Sequence, residues 1–595
     1  MILAPGLVVL LAQGPDLTIK APPPPEPGST THLVVSDDPH LLPTLADVLT
    51  LAPGAVIRRT GGERATLQLR GAGGHQIKLL LDGVPLDDGR GAALDLAHLP
   101  MAAVERVEVR RGAAAAAHGS GAQGGVVHLH TRRRPTQRFR LQIGSFEART
   151  ADIALVERVG EGDLLAALGA STGAGNFAYL DANGQRRTRQ NNAHGRLEGL
   201  LRLRVPLPTG GARLLLSGLS LGRGEPGLEQ FEQADAHSHA RQALAAVAAE
   251  VAGPGDSTLS AQAHGLERRF DFADPTPAFA GAARRFALRD TTRALRLGIE
   301  TTPGTLQAAL TLEGHHQAAT TRTAGSGAAT HRAEARLGGA ITSNVLWNPG
   351  EGLHAQAVLR LDDTSTRDPL VVPALGLRLD LGHTTVAGHV GRLFRDPGFD
   401  ELYFEAAGLR GNPDLHPEDG WGADLGVEVE YGDATVGLTG FVQHYDRLIL
   451  YTPVTAWLIQ PTDTHGARAL GLELAGGAPL GPLQARLAGL LQTVALEEGA
   501  PLPFRPSHLL TADLRWPGPL TAFAAWQWQS EVTTDPFGHR TLPARHRLDG
   551  GVHFIEGAVT LAVEVRNVLN HQRNLDALQQ PLPGRTLHLG LAWSP

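Results

Sequence analysis

The chain has 595 residues, no cysteine and a formal net charge of -7 at pH 7. This length allows several domains or one very large barrel. The absence of cysteine excludes disulfides, thiolate metal sites and a cysteine nucleophile, and the small negative charge argues against a nucleic-acid partner. The 72 glycines and 40 prolines follow no collagen-like period, which indicates many turns and therefore many short strands.

The chain begins with an apolar run, MILAPGLVVLLAQG, which we predict to be an export signal over residues 1–14. No Lys or Arg precedes this run, and a buried N-terminal strand is the alternative interpretation. No stretch of the sequence approaches the roughly 18 uninterrupted apolar residues of a spanning helix. A membrane location therefore requires a closed barrel.

Residues 15–30 are predicted to form an extended tether, because the four consecutive prolines of Pro22–Pro25 can join neither a helix nor a sheet ladder. A short β-prone segment precedes these prolines. It consists of Asp16, Leu17, Thr18, Ile19, Lys20 and Ala21. Such a segment is suited to add as a strand to the exposed sheet edge of a partner.

Residues 31–134 show the pattern of a small α+β domain. THLVVS predicts a strand, and LLPTLADVLTLAPG predicts a short helix that Pro53-Gly54 ends. The segments ATLQLRG, IKLLLDGVPL and VERVEVRRG predict further strands that end in glycine turns.

Residues 135–595 repeat a pattern of alternating strands. Leu425, Val427, Val429 and Tyr431 share one face of such a strand. Short turns alternate with long polar segments at 179–195 and 270–285, the asymmetry expected of an outer-membrane barrel. At roughly 20 residues per strand and connection, the region predicts about 22 strands. Aromatic residues make up only 5% of the chain, and a soluble all-β protein is the alternative.

The glycine-rich run from Gly119 to Gly125 suggests a phosphate-binding loop at first sight. It contains no Lys, and a predicted strand follows it instead of a helix. A phosphate loop needs a Lys for the phosphates and a following helix N-terminus, so a nucleotide site is excluded here.

Three segments carry a resemblance to a known family: LQLRGAGGHQIKLLLDGVPL, LAHLPMAAVERVEVRRG and HGSGAQGGVVHLHTR. In order and spacing they resemble the plug-domain signatures of TonB-dependent outer-membrane receptors. The matching residues are Arg70, Gly71, Asp82, Gly83, Glu105, Arg106, Glu108, Arg111, Gly112, Gly119, Gly124 and Gly125. The chain departs from the family pattern at Ala113, His118 and His128, where the family has proline, tyrosine and asparagine.

Later segments extend the resemblance over nearly the whole chain. FRDPGFDELY, the following GNPDLHPEDG, ARALGLEL and NVLNHQRN resemble barrel motifs of the same family. Length and segment order are most similar to its short cobalamin- and siderophore-receptor-like branch. The family normally ends on Phe, whereas Ser594-Pro595 follow the last strand here.

The resemblance implies an all-β transmembrane barrel of about 22 antiparallel strands with the N-terminal α+β plug domain inside its lumen. It also implies a monomer in the lipid of a bacterial outer membrane. Residues 16–21 would be the TonB box, which pairs with a TonB-type energy-coupling protein. The charged strand residues Glu105, Arg106, Glu108, Arg110 and Arg111 would then lie in a polar lumen, where charges can pair with the barrel wall.

Motifs of catalysis and of metal binding are weak in this sequence. No G-x-S-x-G elbow and no H-E-x-x-H motif occurs, so we predict no enzymatic activity and no cofactor. We interpret His315-His316 as a chance pair of histidines in a loop and not as a metal site. Asp362, Asp363 and Asp368 are suited to bind calcium in an outer loop, or form an ordinary polar loop.

The predicted function is TonB-dependent import of a scarce, large nutrient, either a ferric siderophore or a cobalamin-like corrinoid. LDANGQRRTRQNNAHG is basic where cobalamin receptors carry Asp-rich calcium loops, so an anionic siderophore is at least as well supported. The predicted ligand contacts are Arg58, Arg59, Asp87, Asp88 and Arg90, in loops between plug strands; solvated loop charges are the alternative. A passive porin-like barrel and a surface adhesin or docking protein are the alternative functions.

Overall fold

The computed structural model describes residues 30–595, except 36–39, 61–63, 88, 182, 230, 278–283, 325–329, 407, 456–457, 465, 536–537 and 572–579. The predicted export signal and the predicted TonB box lie outside the described residues. In the part of the chain that is described, no helix is long and apolar enough to cross a membrane.

The N-terminal region folds into a small α+β unit. Its elements are β1 (Thr30–Val34), α1 (Leu45–Leu49), β2 (Ala55–Thr60), β3 (Arg64–Leu69), β4 (Ile77–Leu81), β5 (Val84–Pro85), β6 (Val104–Arg111) and β7 (Gly125–Thr131), with short 3₁₀ turns at Gly74–Gln76, Leu96–His98, Met101–Ala103 and Gly112–His118. Five strands form one sheet in the order β1-β6-β7-β4-β5, and β2 pairs with β3 in a separate hairpin. β4 and β7 run parallel, and the other pairs are antiparallel.

The predicted helix is present as α1. Thr44 caps it, because its hydroxyl accepts a hydrogen bond from the backbone N–H of Asp47 at 3.2 Å, while the Asp47 carboxylate accepts one from the backbone N–H of Thr44 at 3.1 Å. Leu45 and Leu49 of the helix are fully buried and belong to the same apolar cluster as Val107 of β6. The apolar face of the sheet and the helix therefore form one core.

The remainder of the chain consists of long antiparallel strands and short strands in their connections. They are β8 (Thr136–Gly144), β9 (Ala148–Val159), β10 (Gly162–Gly173), β11 (Ala178–Leu180), β12 (Arg186–Thr188), β13 (His194–Leu207), β14 (Gly210–Gly224), β15 (Gly227–Leu228), β16 (Phe231–Glu232), β17 (His237–Ala252), β18 (Ser257–Asp274), β19 (Arg284–Thr301), β20 (Leu306–Ala324), β21 (Thr330–Gly350), β22 (Leu353–Thr364), β23 (Arg367–Leu381), β24 (Thr384–Arg395), β25 (Glu405–Ala406), β26 (Leu409–Arg410), β27 (Glu418–Tyr431), β28 (Ala434–Thr455), β29 (Leu458–Thr464), β30 (Ala467–Leu480), β31 (Leu483–Leu496), β32 (His508–Trp516), β33 (Leu520–Gln529), β34 (Val532–Thr533), β35 (Thr541–Leu542), β36 (Arg545–Glu556), β37 (Val559–Arg566) and β38 (Thr586–Trp593). Between β24 and β25 lies the second helix, α2 (Phe399–Tyr403).

Counted over the described residues, 22 of these strands close into an antiparallel barrel, which confirms the predicted fold class. The last strand, β38, pairs with the first, β8, so that Trp593 lies opposite Phe139. Closure leaves no exposed sheet edge, as a membrane requires. Short turns such as Gly160-Glu161 lie at one end of the barrel, which we assign to the periplasm. The other end carries the long connections, with short exceptions at 145–147 and 365–366.

The outer face of the barrel carries an apolar belt. Leu425, Val427 and Val429 of β27 all point outward and are exposed, as the alternation predicted. Leu295, Leu297 and other outward leucines extend the belt to neighbouring strands. An apolar exterior around a polar interior is the pattern of a barrel in a lipid bilayer.

Several predicted loops are instead the ends of strands. Residues 270–274 belong to β18 and residues 284–285 to β19, although both lie in a segment predicted to be a long loop. The loop interpretation of His315-His316 is also wrong, because both residues lie within β20. β18 and β20 have 18 and 19 residues, more than the roughly 9–11 that span a bilayer. Their outer ends mix polar residues such as Asp271 and Thr323 with the rings of Phe270 and Phe272.

Candidate functional site

The signature residues Asp82 and Gly83 form the turn between β4 and β5. Both have positive φ, 47° and 80°, as a two-residue Asp-Gly hairpin turn requires. The Asp82 carboxylate accepts hydrogen bonds from the backbone N–H and the hydroxyl of Thr131 on β7, at 2.9 and 2.6 Å. Burial opposes its charge, but the Arg213 guanidinium and the bonds from Thr131 hold the pKa of Asp82 below its usual value. The turn is thereby fixed to the centre of the plug sheet.

Arg70 joins the plug to the barrel wall. It is 1% exposed and has a positive φ of 49°. Its Nη1 donates to Asp424 of β27 at 2.9 Å, and its Nε and Nη2 donate to Glu473 of β30 at 3.1 and 3.0 Å. Burial works against the guanidinium charge, but the carboxylates of Glu473 and Asp424 outweigh it and raise the pKa of Arg70. This is a two-pronged, fully buried ionic contact.

The other charged residues of β6 divide between the wall and the plug itself. Arg111 lies with its Nε 3.3 Å from Glu473, so it joins the contact made by Arg70, as predicted for charges in the lumen. Glu108 pairs within the plug, where it accepts from Arg110 at 2.6 Å. Glu105 accepts from the backbone N–H of residue 133 at 3.3 Å, and Arg106 lies opposite Val34 of β1 in the sheet.

The signature glycines permit close approaches. Gly71 has a φ of 78°, and a Cβ there would lie 2.8 Å from a methyl group of Val494 on the barrel wall. Gly125 has a φ of 143°, and its Cβ would lie 2.2 Å from the carbonyl oxygen of Arg110. The remaining signature glycines lie in the connection between β6 and β7; they are Gly112, Gly119 and Gly124. The connection can therefore approach both the sheet and the wall.

A cavity of about 360 Å³ lies between β4 of the plug and the barrel strands β18–β24. Asp396 and Gly398, just beyond the outer end of β24, line one part of it. Gly83, in the turn between β4 and β5, and Gln262, in the periplasmic half of β18, line another. The cavity thus follows the plug along much of the height of the barrel.

Seven cationic side chains line this cavity against four carboxylates. The cations are Lys78, Arg110, Arg268, Arg296, Arg336, Arg360 and Arg395, and the carboxylates are Asp87, Glu313, Asp362 and Asp396. Some of these charges are paired, as where Arg360 donates to Glu313 at 2.7 Å. The lining residues alone carry an excess of positive charge, part of which is offset behind the lining, where Arg110 pairs with Glu108 and Arg395 pairs with Glu401 and Glu418.

Arg58 and Arg59 line a second, smaller cavity of about 200 Å³ beside the outer connections of the barrel. The Arg58 guanidinium lies 4.1 Å from the centre of the Phe504 ring, a cation–π contact. Arg59 donates to the buried carboxylate of Asp47 at 2.7 Å. Both residues were predicted to lie in a loop, but they belong to β2, which pairs with β3. They reach the outer side of the plug, where each already has a partner.

Asp87 and Arg90 lie on the loop that follows β5. Asp87 is partly exposed in the larger cavity, 3.6 Å from the ammonium of Lys78. Arg90 is 4% exposed, and its Nε donates to Asp400 of α2 at 3.0 Å. The structure therefore separates Arg90 from the Arg58–Arg59 pair. Asp88 lies outside the described residues.

The predicted calcium residues also belong to strands. Asp362 and Asp363 end β22, and Asp368 lies near the start of β23. Asp362 accepts a hydrogen bond from Arg360 at 2.9 Å and forms an ion pair with Arg367. The polar-loop interpretation is wrong, since only a two-residue turn separates the strands.

The sequence analysis named His118, His128 and His315 but did not predict that histidines line the larger cavity. His75, His118 and His128 come from the plug, and His264 and His315 from the wall. Burial lowers the pKa of His75 to about 4 and that of His128 to about 3, so both are neutral at pH 7. The sequence indicated a role for histidine only through the total of 26, and a count does not show which histidines lie near one another in the fold.

Comparisons with known proteins agree with this architecture. The model of the TonB dependent receptor-like β-barrel matches residues 169–568, and that of the TonB-dependent receptor plug domain matches residues 38–126. The vitamin B12 transporter BtuB of Vibrio cholerae serotype O1 is 33% identical over 138 residues, which are 22% of this chain and 23% of that transporter. The sequence match therefore covers about a quarter of the length of these relatives.

Solved structures share the fold at low identity. A variant of the ferric enterobactin receptor PfeA from Pseudomonas aeruginosa has a TM-score of 0.77 at 18% identity and covers 96% of this chain and 98% of its own. The siderophore receptor PirA from Acinetobacter baumannii has a TM-score of 0.78 at 15% identity, with the same coverage of 96% and 98%. The copper transporter OprC has a TM-score of 0.82 at 16% identity, covering 95% of this chain and 99% of its own.

The barrel model alone matches more than half of the chain, and the plug model matches the region that forms the α+β unit. The closed barrel with its apolar outer belt agrees with both matches. The chain belongs to the TonB-dependent receptors, a family of transporters and receptors of the bacterial outer membrane.

Proposed function

We propose that the protein actively imports a scarce, large nutrient across the outer membrane, and that this cargo is an anionic metal chelate such as a ferric siderophore. The plug and its buried contacts with the wall carry this proposal. A folded domain occupies the lumen, and buried ion pairs hold it in place, so a large solute has no open passage. Passage of a large solute requires the plug to move, and the movement requires energy.

The charge of the larger cavity supports an anionic cargo. Its lining has an excess of arginine and lysine over carboxylates, and long-range attraction to such a lining raises the local concentration of anions. A cobalamin-like corrinoid is the second candidate, because the segment-level identity of 33% is to vitamin B12 transporters. The proposed contacts for either cargo are Arg58, Arg59, Asp87, Asp88 and Arg90 together with the outer connections.

The proposed energy source is a TonB-type protein that pairs with Asp16–Ala21. The prolines that follow this segment in the sequence favour an extended chain, which suits a segment that must reach a periplasmic partner. We propose a monomer in the lipid bilayer, with no enzymatic activity and no nucleic-acid partner. Calcium in the outer connections remains a prediction from the sequence.

Two alternatives differ from import in what they require. A passive porin needs an open lumen, and the plug sheet argues against it. An adhesin or docking protein needs only the outer connections. Neither depends on an energised periplasmic partner, so disruption of Asp16–Ala21 separates both from active import.

The experiment compares growth and uptake of a deletion strain that carries the intact receptor or a variant with Leu17→Pro or Ile19→Pro. Proline removes one ladder hydrogen bond, so pairing with the partner fails and uptake falls to the level of the deletion strain, while cargo binding at the cell surface persists. Glu26→Pro, within the proline-rich tether, is the control that retains uptake. Growth and uptake are measured with a panel of compounds that contains ferric siderophores, haem and cobalamin.

Unchanged uptake by both proline variants would overturn the proposed coupling. If no compound in the panel requires the receptor, both cargo classes are wrong. Uptake that depends on the receptor in a strain without TonB would favour the porin alternative.

A further inference from the structure

We propose that the plug sheet binds a divalent transition-metal ion of the Zn²⁺ type through Glu108, His128 and His130, with His32 as an additional ligand. Among the residues that the structure describes, Glu108, His128 and His130 have ligand atoms that all lie within 4.8 Å of one another. The site concerns the plug itself and does not depend on the identity of the cargo.

The register of the sheet brings these residues to one face. His32 of β1 lies opposite Glu108 of β6, and Glu108 lies opposite His128 of β7. His130 follows two positions later, so it points to the same side as His128. Leu129 between them points the other way, into the apolar core. Three adjacent strands therefore present imidazole and carboxylate groups together.

Two of the ligand atoms already have the spacing of a metal site. His130 Nε2 lies 3.2 Å from Glu108 Oε2. Two ligands on a tetrahedral Zn²⁺ with bonds of about 2.0–2.1 Å lie about 3.3–3.4 Å apart. His32 Nδ1 is 3.9 Å from the same Glu108 oxygen. A small movement of the partly exposed His32 side chain therefore brings its nitrogen within bonding distance of the same ion.

Neighbouring groups orient the carboxylate. Arg110 Nε donates to Glu108 Oε1 at 2.6 Å and leaves Oε2 directed at the histidines. Metal ligands are commonly held in this way by a second hydrogen-bonding partner. The mixture of imidazole nitrogens and one carboxylate favours Zn²⁺ and similar ions over Ca²⁺ and Mg²⁺, which prefer oxygen ligands.

His128 must change its hydrogen bonding to take part. Its Nε2 accepts from the backbone N–H of Gly83 at 2.8 Å, and its ring centre lies 3.9 Å from that of His130. Binding therefore replaces the bond from Gly83, or turns the His128 ring about its Cβ–Cγ bond. His128 lines the cavity between plug and wall, which gives the ion an entry path.

The experiment titrates Zn²⁺ into the full-length receptor, purified in detergent and freed of metal by chelation, with Co²⁺ as a spectroscopic probe of ligand geometry. We expect the intact protein to bind one equivalent of Zn²⁺ tightly. Glu108→Gln and the double variant His128→Ala/His130→Ala should each lose more than roughly tenfold in affinity for this equivalent. The double variant His315→Ala/His316→Ala removes two histidines from the barrel wall instead and should retain it.

Hydrogen exchange tests the link between strands. A bound ion joins β1 to β6 and β7, so Zn²⁺ should slow exchange in β1 of the intact receptor but not in His32→Ala. Glu108→Gln keeps the size of the side chain, so a loss of binding with unchanged exchange of the metal-free sheet supports the site. Equal Zn²⁺ affinity in the intact receptor, Glu108→Gln and the His128/His130 variant would overturn the proposal.

Discussion

At the scale of single residues, Arg70 joins the plug to two strands of the wall through buried ion pairs. It lies 354 and 403 positions away in sequence from its partners Asp424 and Glu473. All three side chains are almost completely buried. Removing one partner of such a contact leaves uncompensated charge and costs about 3–5 kcal/mol, whereas an exposed pair contributes about 0–1 kcal/mol.

We therefore expect Arg70→Ala to loosen the plug without opening the barrel. The two carboxylates lose their main cation, and the free energy of local plug opening falls by about 3–5 kcal/mol. Hydrogen exchange of β3 and β4, followed by mass spectrometry in detergent, measures this directly. The control is Arg269→Ala, which removes an arginine that donates to Glu267 at 2.6 Å while 51% exposed. Equal exchange in the two variants would contradict the anchoring role of Arg70.

At the scale of elements, α2 and the plug loop after β5 form a second attachment. The backbone N–H of Phe399 donates to the carbonyl of Gly89 at 2.8 Å, and that of Asp400 donates to the carbonyl of Arg90 at 3.2 Å. Arg90 returns a side-chain bond to Asp400. An outer connection of the barrel is thereby bound to the plug, so movement of one is coupled to movement of the other.

Gly91→Ala should separate these two elements. Gly91 has a φ of 78°, and a Cβ there would lie 2.8 Å from the Cα of Gly398, a backbone atom that cannot give way cheaply. We expect faster hydrogen exchange in residues 398–404 and weaker cargo binding. Gly382→Ala is matched in backbone conformation, with a φ of 69°, but its Cβ would meet nothing within 4 Å. If the two variants show the same exchange in residues 398–404 and the same cargo binding, backbone strain explains the effect, and the contact with Gly398 does not.

The sequence predicted α1 and most of the plug strands because capping residues and period-two patterns are local, but it placed Arg58 and Arg59 of β2 in a loop. It misplaced the outer strand ends, as at residues 270–274, because the acidic residues there suggested a polar loop, whereas Phe270 and Phe272 alternate with Asp271 and both rings lie against Phe286 of β19. It also did not predict the histidine-lined cavity. His128 and His264 line the same cavity because the plug sheet docks against β18, and no local sequence pattern encodes that docking.

At the scale of the whole molecule, the interactions that close the barrel differ from those that hold the plug in its lumen. Backbone hydrogen bonds between β38 and β8 complete the barrel without any contribution from the plug. The plug is held by side-chain contacts such as those of Arg70, by a few backbone hydrogen bonds of its loops, such as that between Gly89 and Phe399, and by its turns against the wall. The barrel is therefore expected to persist when the plug is removed.

Deletion of residues 31–134 should convert the receptor into an open pore. A barrel of this strand number encloses a wide lumen, and its inward side chains are polar and remain hydrated when the plug is absent. We expect large, stable conductances in planar bilayers and sensitivity of cells to large hydrophilic antibiotics. The intact receptor and the Leu17→Pro variant, both of which retain the plug, should show neither property. Normal surface levels of the deleted form without any gain in permeability would mean that the outer connections close the lumen by themselves, and that the plug is not the principal barrier.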